Sequence, residues 1–521
     1  MEGVSLIVLV LGSLAVTWVC RRLRISSTLV LVVVGIAVSF VPGVPDFRIK
    51  PDLVLLLVLV PLLYSAALDS SYHAFRANIR PIGLLAVGLV IFSTIAVGLV
   101  AWWVVPGLPL PAGLVLGAVV APPDAVAAIA VGRRLGLPRQ MMTILAGESL
   151  VNDATSLTLF RVAVAVAAGS GVSLLTGFGM FLLAGVGGVL LGWAIGWLAH
   201  RVRVRLNDPP IESAFGLVVP FAVYLIAEEV HASGLLAVVV AGLYLGHKAP
   251  ETGFATRLQD DAVWRASDTV LESTVFALIG LQLTSVLAEV GAVAPLLLAG
   301  VAVTGATVLA RVVWMFPATY LPRMIPRVRA RDPYPSWRQP AVISWAGMRG
   351  VVSLAAAFAI TPGVPHREQL IFLAFFVTVG TLLLHGLTLP WLIRALKIHG
   401  DDSATDALAE AQAQHAAGRA AVARLDELAT TEEPSHEHTV RKLRYLAEMR
   451  TNSSWERLGR GPEEAGESPG AAHRRLRRAM VNAERETFVQ YRDDGRIDDE
   501  VLRRVLRELD LEEAMLSRDD S

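Results

Sequence analysis

The sequence predicts an all-α polytopic membrane protein: about thirteen transmembrane helices in two inverted six-helix repeats, with discontinuous crossing helices and a helical tail. Three observations carry that prediction. The first is an uneven composition. Hydrophobic residues make up 54% of the 521 and charged residues only 18%, against about 25% charged in soluble proteins. Apolar runs of roughly 17–30 residues, the length that crosses a bilayer, follow one another to residue 397. The second is that basic residues crowd into every other loop. The third is a pair of polar interruptions at matching places in the two halves.

The runs fall at about 3–20, 27–42, 51–68, 81–105, 110–131, 141–167, 172–199, 210–229, 232–247, 269–289, 292–320, 340–361 and 370–396. The first begins without a preceding basic residue and is followed by Arg21, Arg22 and Arg24. That order suits a retained helix whose start lies outside, rather than a cleaved signal peptide. Arginine or lysine then follows each odd-numbered run: Arg76 and Arg80; Arg133, Arg134 and Arg139; Arg201, Arg203 and Arg205; Lys248, Arg257 and Arg265; Arg323, Arg327, Arg329, Arg331 and Arg338; Arg394 and Lys397. Among the intervening loops, Pro106–Leu110, Gly169–Ser173 and Val290–Ala294 have none, and Arg48, Lys50 and Arg367 are mild exceptions in the loops at 43–50 and 362–369. The positive-inside rule then places the N-terminus outside and the tail in the cytoplasm, with the plasma membrane as the expected location.

An odd count makes spans 1–6 and 8–13 two halves entering from opposite sides, with span 7 between them. This is the layout of an inverted-repeat transporter. Span 5 is interrupted by Ala121-Pro122-Pro123-Asp124, and its counterpart, span 12, by Ala346-Gly347-Met348-Arg349-Gly350. Prolines in one and glycines in the other disfavour a continuous helix. Paired interruptions of this kind point to a transport site.

The most polar stretch is Gly147-Glu148-Ser149-Leu150-Val151-Asn152-Asp153-Ala154-Thr155-Ser156 in span 6. At roughly 100° per residue, positions 148, 149, 152, 153 and 156 share an arc of about 140°. Ionisable groups there cost about 2.5–3.5 kcal/mol each on insertion scales and mark ion or proton pathways. Counted along their helices, Glu148 and Arg349 lie at matching depth, about 12–15 Å from the inner face. A Glu148–Arg349 ion pair clasping the halves is therefore expected. That leaves Asp153 and Asp124 near the centre. Deprotonated, such a carboxylate offers oxygens to a small hard cation; protonated, it is neutral and tolerated in low dielectric. Cation and proton then compete for one site. The Ser149 hydroxyl and carbonyls freed at Pro122–Asp124, that of Pro123 among them, would complete the oxygen shell. Asn152 adds dipoles without a second charge, which suggests one charge in for one charge out.

The remaining polar residues have blander readings. Arg311, about nine residues from the inner end of span 11, is expected to snorkel. Arg161 lies off the polar face of span 6 and is expected to pair or snorkel. Glu228, Glu229 and His231 read as a solvated outer cluster rather than one that attracts cations, and His385 as a helix-packing hydrogen-bonding residue rather than a pH sensor.

These stretches together resemble the bacterial sodium/proton antiporters of the monovalent cation:proton antiporter-1 family. The resemblance covers residues 1–397 and rests on Pro61–Leu68, Pro122–Ala127, Gly147–Asp153, Ser233–Gly242, Leu278–Leu283, Gly347–Gly350 and His385–Pro390 in order. It implies that Asp153 and Asp124 contact the ion, that Ser149 adds a ligand, that Asn152 braces the broken helix, and that Glu148 pairs with Arg349. It implies a homodimer and an elevator-like motion. Two departures stand out. Pro123 occupies a position that is often threonine in relatives, so only its carbonyl can serve. Glu272 stands where many relatives carry asparagine, and, three or four residues into span 10, it reads either as a residue reaching the cytoplasmic interface or as a functional acid.

The expected function is Na⁺ (or Li⁺)/H⁺ exchange, electroneutral and by alternating access. K⁺/H⁺ exchange on the same fold is the alternative, and a cation channel is a more distant one, since no repeated filter loop is present. An intramembrane enzyme is disfavoured by the lack of an HExxH or Gly-x-Gly-Asp motif. The lone Cys20 excludes an intramolecular disulfide and a cysteine-built metal site. The only expected partners are a monovalent cation, the proton, the bilayer and a second copy, with no cofactor and no nucleic acid. Residues 398–521 form a separate domain with 27 acidic and 19 basic residues. It reads as helices at Ala404–Leu428, Val440–Leu458, Ala471–Arg492 and Asp498–Leu516, broken at Glu433–Ser435 and Gly459–Gly470, with a regulatory or dimer-stabilising role and no phosphate-binding loop.

Overall fold

Backbone groups in a bilayer must find partners within the protein, and helices do this locally. The computed structural model describes residues 2–23, 25–42, 44, 51–169, 174–206, 208–290, 293–332, 334–398, 403–429, 437–459, 469–494 and 496–517, and every regular element among them is helical. Each expected span is occupied by a helix or a broken pair. These are α1 (Glu2–Leu23), α2 (Ser27–Ser39), α3 (Pro51–Val54, Leu55–Leu59 and Val60–Leu68 in succession), α4 (Ile79–Val104), α5a (Leu110–Val120) and α5b (Val126–Leu135). There follow α6 (Arg139–Ala167), α7 (Leu174–Leu206), α8 (Pro209–Glu229), α9 (Gly234–Lys248) and α10 (Phe254–Leu281, continued by Leu283–Glu289). The last are α11 (Val293–Tyr320), α12a (Arg338–Trp345), α12b (Val351–Phe358) and α13 (Arg367–Ala395). Eight are long and apolar enough to cross a membrane whole; α2, α3, α5, α9 and α12 are the short or interrupted ones. The loop bases Arg24, Arg48 and Lys50, and the tail breaks at 433–435 and 460–468, lie outside the described residues.

Two helices carry a wide turn. In α3 the π-turn Leu55–Leu59 runs directly into Pro61, whose missing N–H cannot continue the regular ladder. In α4, at the π-turn Leu84–Leu89, the Leu84 carbonyl also accepts from the Trp314 indole at 3.0 Å.

The packing does not follow the sequence halves. Helices α4, α5, α6, α11, α12 and α13 pack chiefly on one another, three from each half, while α1, α2, α3 and α7–α10 form a second group. Within the first group α4 meets α5a through small residues. Gly98 and Gly113 face each other, and a Cβ on Gly117 would collide with the Thr94 carbonyl oxygen. In lipid such contacts replace the hydrophobic effect as the force joining helices.

The chain divides into two compact units, 1–400 and 401–521. The second contains α14 (Ser403–Ala429), α15 (Glu437–Gly459), α16 (Pro469–Asp493) and α17 (Asp499–Ser517). Arg477 on α16 holds Glu512 on α17 at 2.7 Å, and this contact keeps the Glu512 carboxyl below the usual carboxylate range.

Gly117→Val should therefore overpack the α4–α5a contact. The expected cost is about 1–3 kcal/mol, read as a lower thermal-unfolding midpoint of the detergent-solubilised protein.

Candidate functional site

The two interrupted spans cross at their breaks. The Asp124 N–H donates to the Met348 carbonyl at 2.6 Å, joining one break to the other. Four half-helix ends meet there, each with unsatisfied backbone groups and a partial charge. Arg349 deals with the carbonyl ends. Its Nε donates to the Val120 carbonyl at 2.9 Å, and its two terminal nitrogens donate to the carbonyls of Ala121 and Gly347. Its own N–H is held by the Thr381 hydroxyl at 3.2 Å. Asp124 sits at the opposite, positive end of a half-helix and accepts from the Val126 N–H at 2.8 Å. Gly350 leaves room for it, since a Cβ at Gly350 would fall on the Asp124 carboxylate.

The expected Glu148–Arg349 clasp is replaced by Glu148–Arg311. Arg311 donates to both Glu148 oxygens, at 2.5 and 2.8 Å, and also to the carbonyls of Ile343 and Ser344 at the end of α12a. Both side chains are about 1% exposed, so Arg311 does not snorkel. Depth along a helix supplies one coordinate only. Arg349 lies inside a break and spends its donors on carbonyls freed beside it, while Arg311 faces α6 across the bundle. Arg311 is the partner of Glu148 that the sequence does not single out. The available signal was its depth, which also matches that of Glu148.

The other predicted site residues are placed as follows. Asn152 donates to the Pro123 carbonyl at 2.8 Å, so this carbonyl is already engaged, although it keeps a second lone pair. Ser156 bonds the Ala118 carbonyl at 2.8 Å. The Ser149 hydroxyl lies 3.4 Å from the Ala125 nitrogen. Asp153 is 5% exposed and has no hydrogen bond or ion pair among the described residues. Asp124, Ser149 and Asp153 share a cavity of about 110 Å³ between the two helix groups, walled on the far side by α3 and by Glu272 of α10. A wider cavity of about 460 Å³ adjoins it and reaches Asp69, Arg133 and Asp268. Asp268 accepts from Ser65 at 2.7 Å. Among the described residues no three His, Cys, Asp or Glu side chains converge as a metal cluster. The site is a looser oxygen set: two carboxylates, a hydroxyl and nearby carbonyls, which suits a hard cation bound in passing.

Arg161 is paired, with Glu228 at 2.7 Å, and Glu228 also accepts from the Gly234 N–H at 3.1 Å. The outer cluster is thus partly structural. His385 lies edge-on to Trp345, with ring centroids 5.0 Å apart. Helix α10 begins at Phe254, before the expected 269, and its Glu272 lines both cavities.

Comparison with known proteins now decides the family. The model of the sodium/hydrogen exchanger transmembrane family matches residues 7–395. The chain belongs to the sodium/hydrogen exchanger family. Its members are secondary transporters and not enzymes, so this is a multi-pass membrane transport protein. An uncharacterised Na⁺/H⁺ exchanger of Mycobacterium tuberculosis is 31% identical over 99% of this chain and 96% of its own length. An Na⁺/H⁺ antiporter of Aphanothece halophytica is 31% identical, over 73% of this chain and 71% of its own. The solved sodium proton antiporter of Methanocaldococcus jannaschii, at 18% identity, has the same fold, with a TM-score of 0.60 over 75% of this exchanger and 97% of its own chain.

Two outcomes follow from this geometry. Arg311→Met leaves Glu148 as a buried, uncompensated charge, and should cost the exchanger about 3–5 kcal/mol. The double variant Glu148→Leu/Arg311→Met should recover most of that in thermal unfolding, while Glu148→Leu/Arg349→Met should not. Gly350→Ala should displace the Asp124 carboxylate and lower transport at least about tenfold in a chain that still elutes as a folded species.

Proposed function

We propose that the exchanger performs electroneutral exchange of Na⁺ (or Li⁺) for H⁺ across the plasma membrane. Asp153 and Asp124 are the groups for which cation and proton compete. Ser149 and the Pro123 carbonyl add oxygens, and Asn152, Glu148 and Arg349 keep the breaks in place. The observation that carries this reading is a buried Asp153, without a counter-cation among the described residues, facing one cavity with Asp124. Both nearby arginines are committed elsewhere, Arg349 to carbonyls and Arg311 to Glu148. A pair of carboxylates left without a fixed cation attracts a mobile one. Release of the cation then requires protonation, because an uncompensated charge in low dielectric is costly.

The division into two helix groups supports alternating access. The site residues belong to the six-helix bundle and the far wall belongs to the other group, so sliding of one past the other moves the site between faces. The second group is the natural surface for a homodimer, and the tail a natural place for regulation. Arg133 of an arginine-rich loop lines the wider cavity, and the positive-inside rule supports a cytoplasmic side for it. A second reading, K⁺/H⁺ exchange, is favoured by one observation. A Bacillus subtilis relative, 30% identical over 70% of this chain, is named a sodium, potassium, lithium and rubidium/H⁺ antiporter.

In proteoliposomes under a pH gradient, Na⁺ or Li⁺ should dissipate the gradient with little response to an imposed membrane potential. Asp153→Asn should reduce the rate by at least about a hundredfold while the protein remains folded. Normal exchange by Asp153→Asn would refute the assignment, and a K⁺ response equal to that of Na⁺ would favour the second reading.

A further inference from the structure

Glu272 is a third carboxylate at the seam, and it differs from the other two in one respect. Asp124 and Asp153 are carried by the six-helix bundle, on α5 and α6. Glu272 is carried by α10, which packs with α1, α2 and α8 in the other group. It is the one acid that lines both cavities, the small one with Asp124 and Asp153 and the wider one with Asp69 and Asp268. Its carboxylate has no hydrogen bond or ion pair among the described residues. Asp268, one helical turn earlier on the same face, is partly engaged by Ser65. The same small cavity is lined by Asp124, whose charge acts on Glu272, and by the 5%-exposed Asp153, which has no hydrogen bond among the described residues.

We infer that Glu272 sets the cation affinity of one transport face: it adds its negative charge to the site while the site faces the wider cavity and is left behind when the bundle moves. This rests on the exchange reading and on alternating access. The physical reason is distance. A carboxylate on the same moving body as Asp153 would raise cation affinity equally at both faces. A carboxylate on the other body acts only in the state that brings it across the cavity from Asp153. In that state the low-dielectric walls leave the interaction weakly screened. The exchanger therefore binds cation more tightly from the wider-cavity side, which the basic loops assign to the cytoplasm, and releases it more readily on the other.

The test compares inside-out with right-side-out membrane vesicles from a host lacking its own sodium/proton exchangers, reading KM and maximal rate for Na⁺ at each face. Glu272→Gln should raise KM at the cytoplasmic face about tenfold, the scale of one weakly screened charge, and leave the outer face within about twofold. Glu272→Asp, which keeps the charge, should restore most of the cytoplasmic affinity. An equal shift at both faces, or no shift at either, overturns the proposal. If Glu272→Gln does not fold, as read by size-exclusion elution and thermal unfolding, Glu272→Asn is measured by the same ratio. Should both neutral variants fail to fold, the residue is structural and the proposal falls. Absence of exchange in the unaltered protein, or normal exchange by Asp153→Asn, would instead remove the underlying reading.

Discussion

Everything at the centre of this exchanger depends on satisfying backbone groups where two helices stop halfway across a membrane. An unpaired carbonyl or N–H in that setting costs several kcal/mol, and each break exposes several. The chain meets the requirement by letting the breaks serve each other. The Asp124 N–H finds the Met348 carbonyl, and Arg349 collects the carbonyls of Val120, Ala121 and Gly347. Pro123 is bonded by Asn152, and Ala118 by Ser156. The polar face of α6 is therefore largely a set of supports for α5. What it leaves unsupported is Asp153.

The charges divide in the same way. Two arginines and three carboxylates lie at mid-depth in the six-helix bundle. Glu148 and Arg311 neutralise each other with good geometry on both oxygens, the condition under which a buried ion pair can be held without large cost. Arg349 is matched to the negative ends of half-helices, a partner of fractional but concentrated charge. Asp124 is matched in part to a positive end. The balance is one carboxylate short of a fixed partner, and this deficit faces the cavity. Fixed neutralisation elsewhere is what leaves this carboxylate open to a mobile cation or a proton in the proposed exchange.

The seam between the two helix groups explains why the site can be both buried and reachable. Within the bundle, small residues let α4 and α5a approach until backbone meets backbone, which favours motion as one body. Across the seam the contacts leave room for a cavity. Rigid on one side and loosely filled on the other, the site is suited to a protein that must move its ion without opening a continuous pore.

Much of this was legible in the residues. Apolar runs set the number and position of the spans, because a span must be apolar along most of its length wherever it ends up. Prolines and glycines set the two breaks, and the polar arc at 148–156 marked the face that would meet them. These properties are local. Three things were not legible. Glu148 was assigned to Arg349 by depth, yet Arg311 holds it, since depth says nothing about which helix lies alongside. Glu272 reads from the sequence as a residue near the cytoplasmic interface, and that it lines both cavities depends on how α10 packs against the bundle. The packing of three helices from each half into one bundle was also hidden. The sequence by itself determined where helices run and where they break, through hydropathy and backbone sterics. Only the tertiary structure decided which charge meets which and which carboxylate is left without a fixed partner, because those follow from distances between segments far apart in the chain.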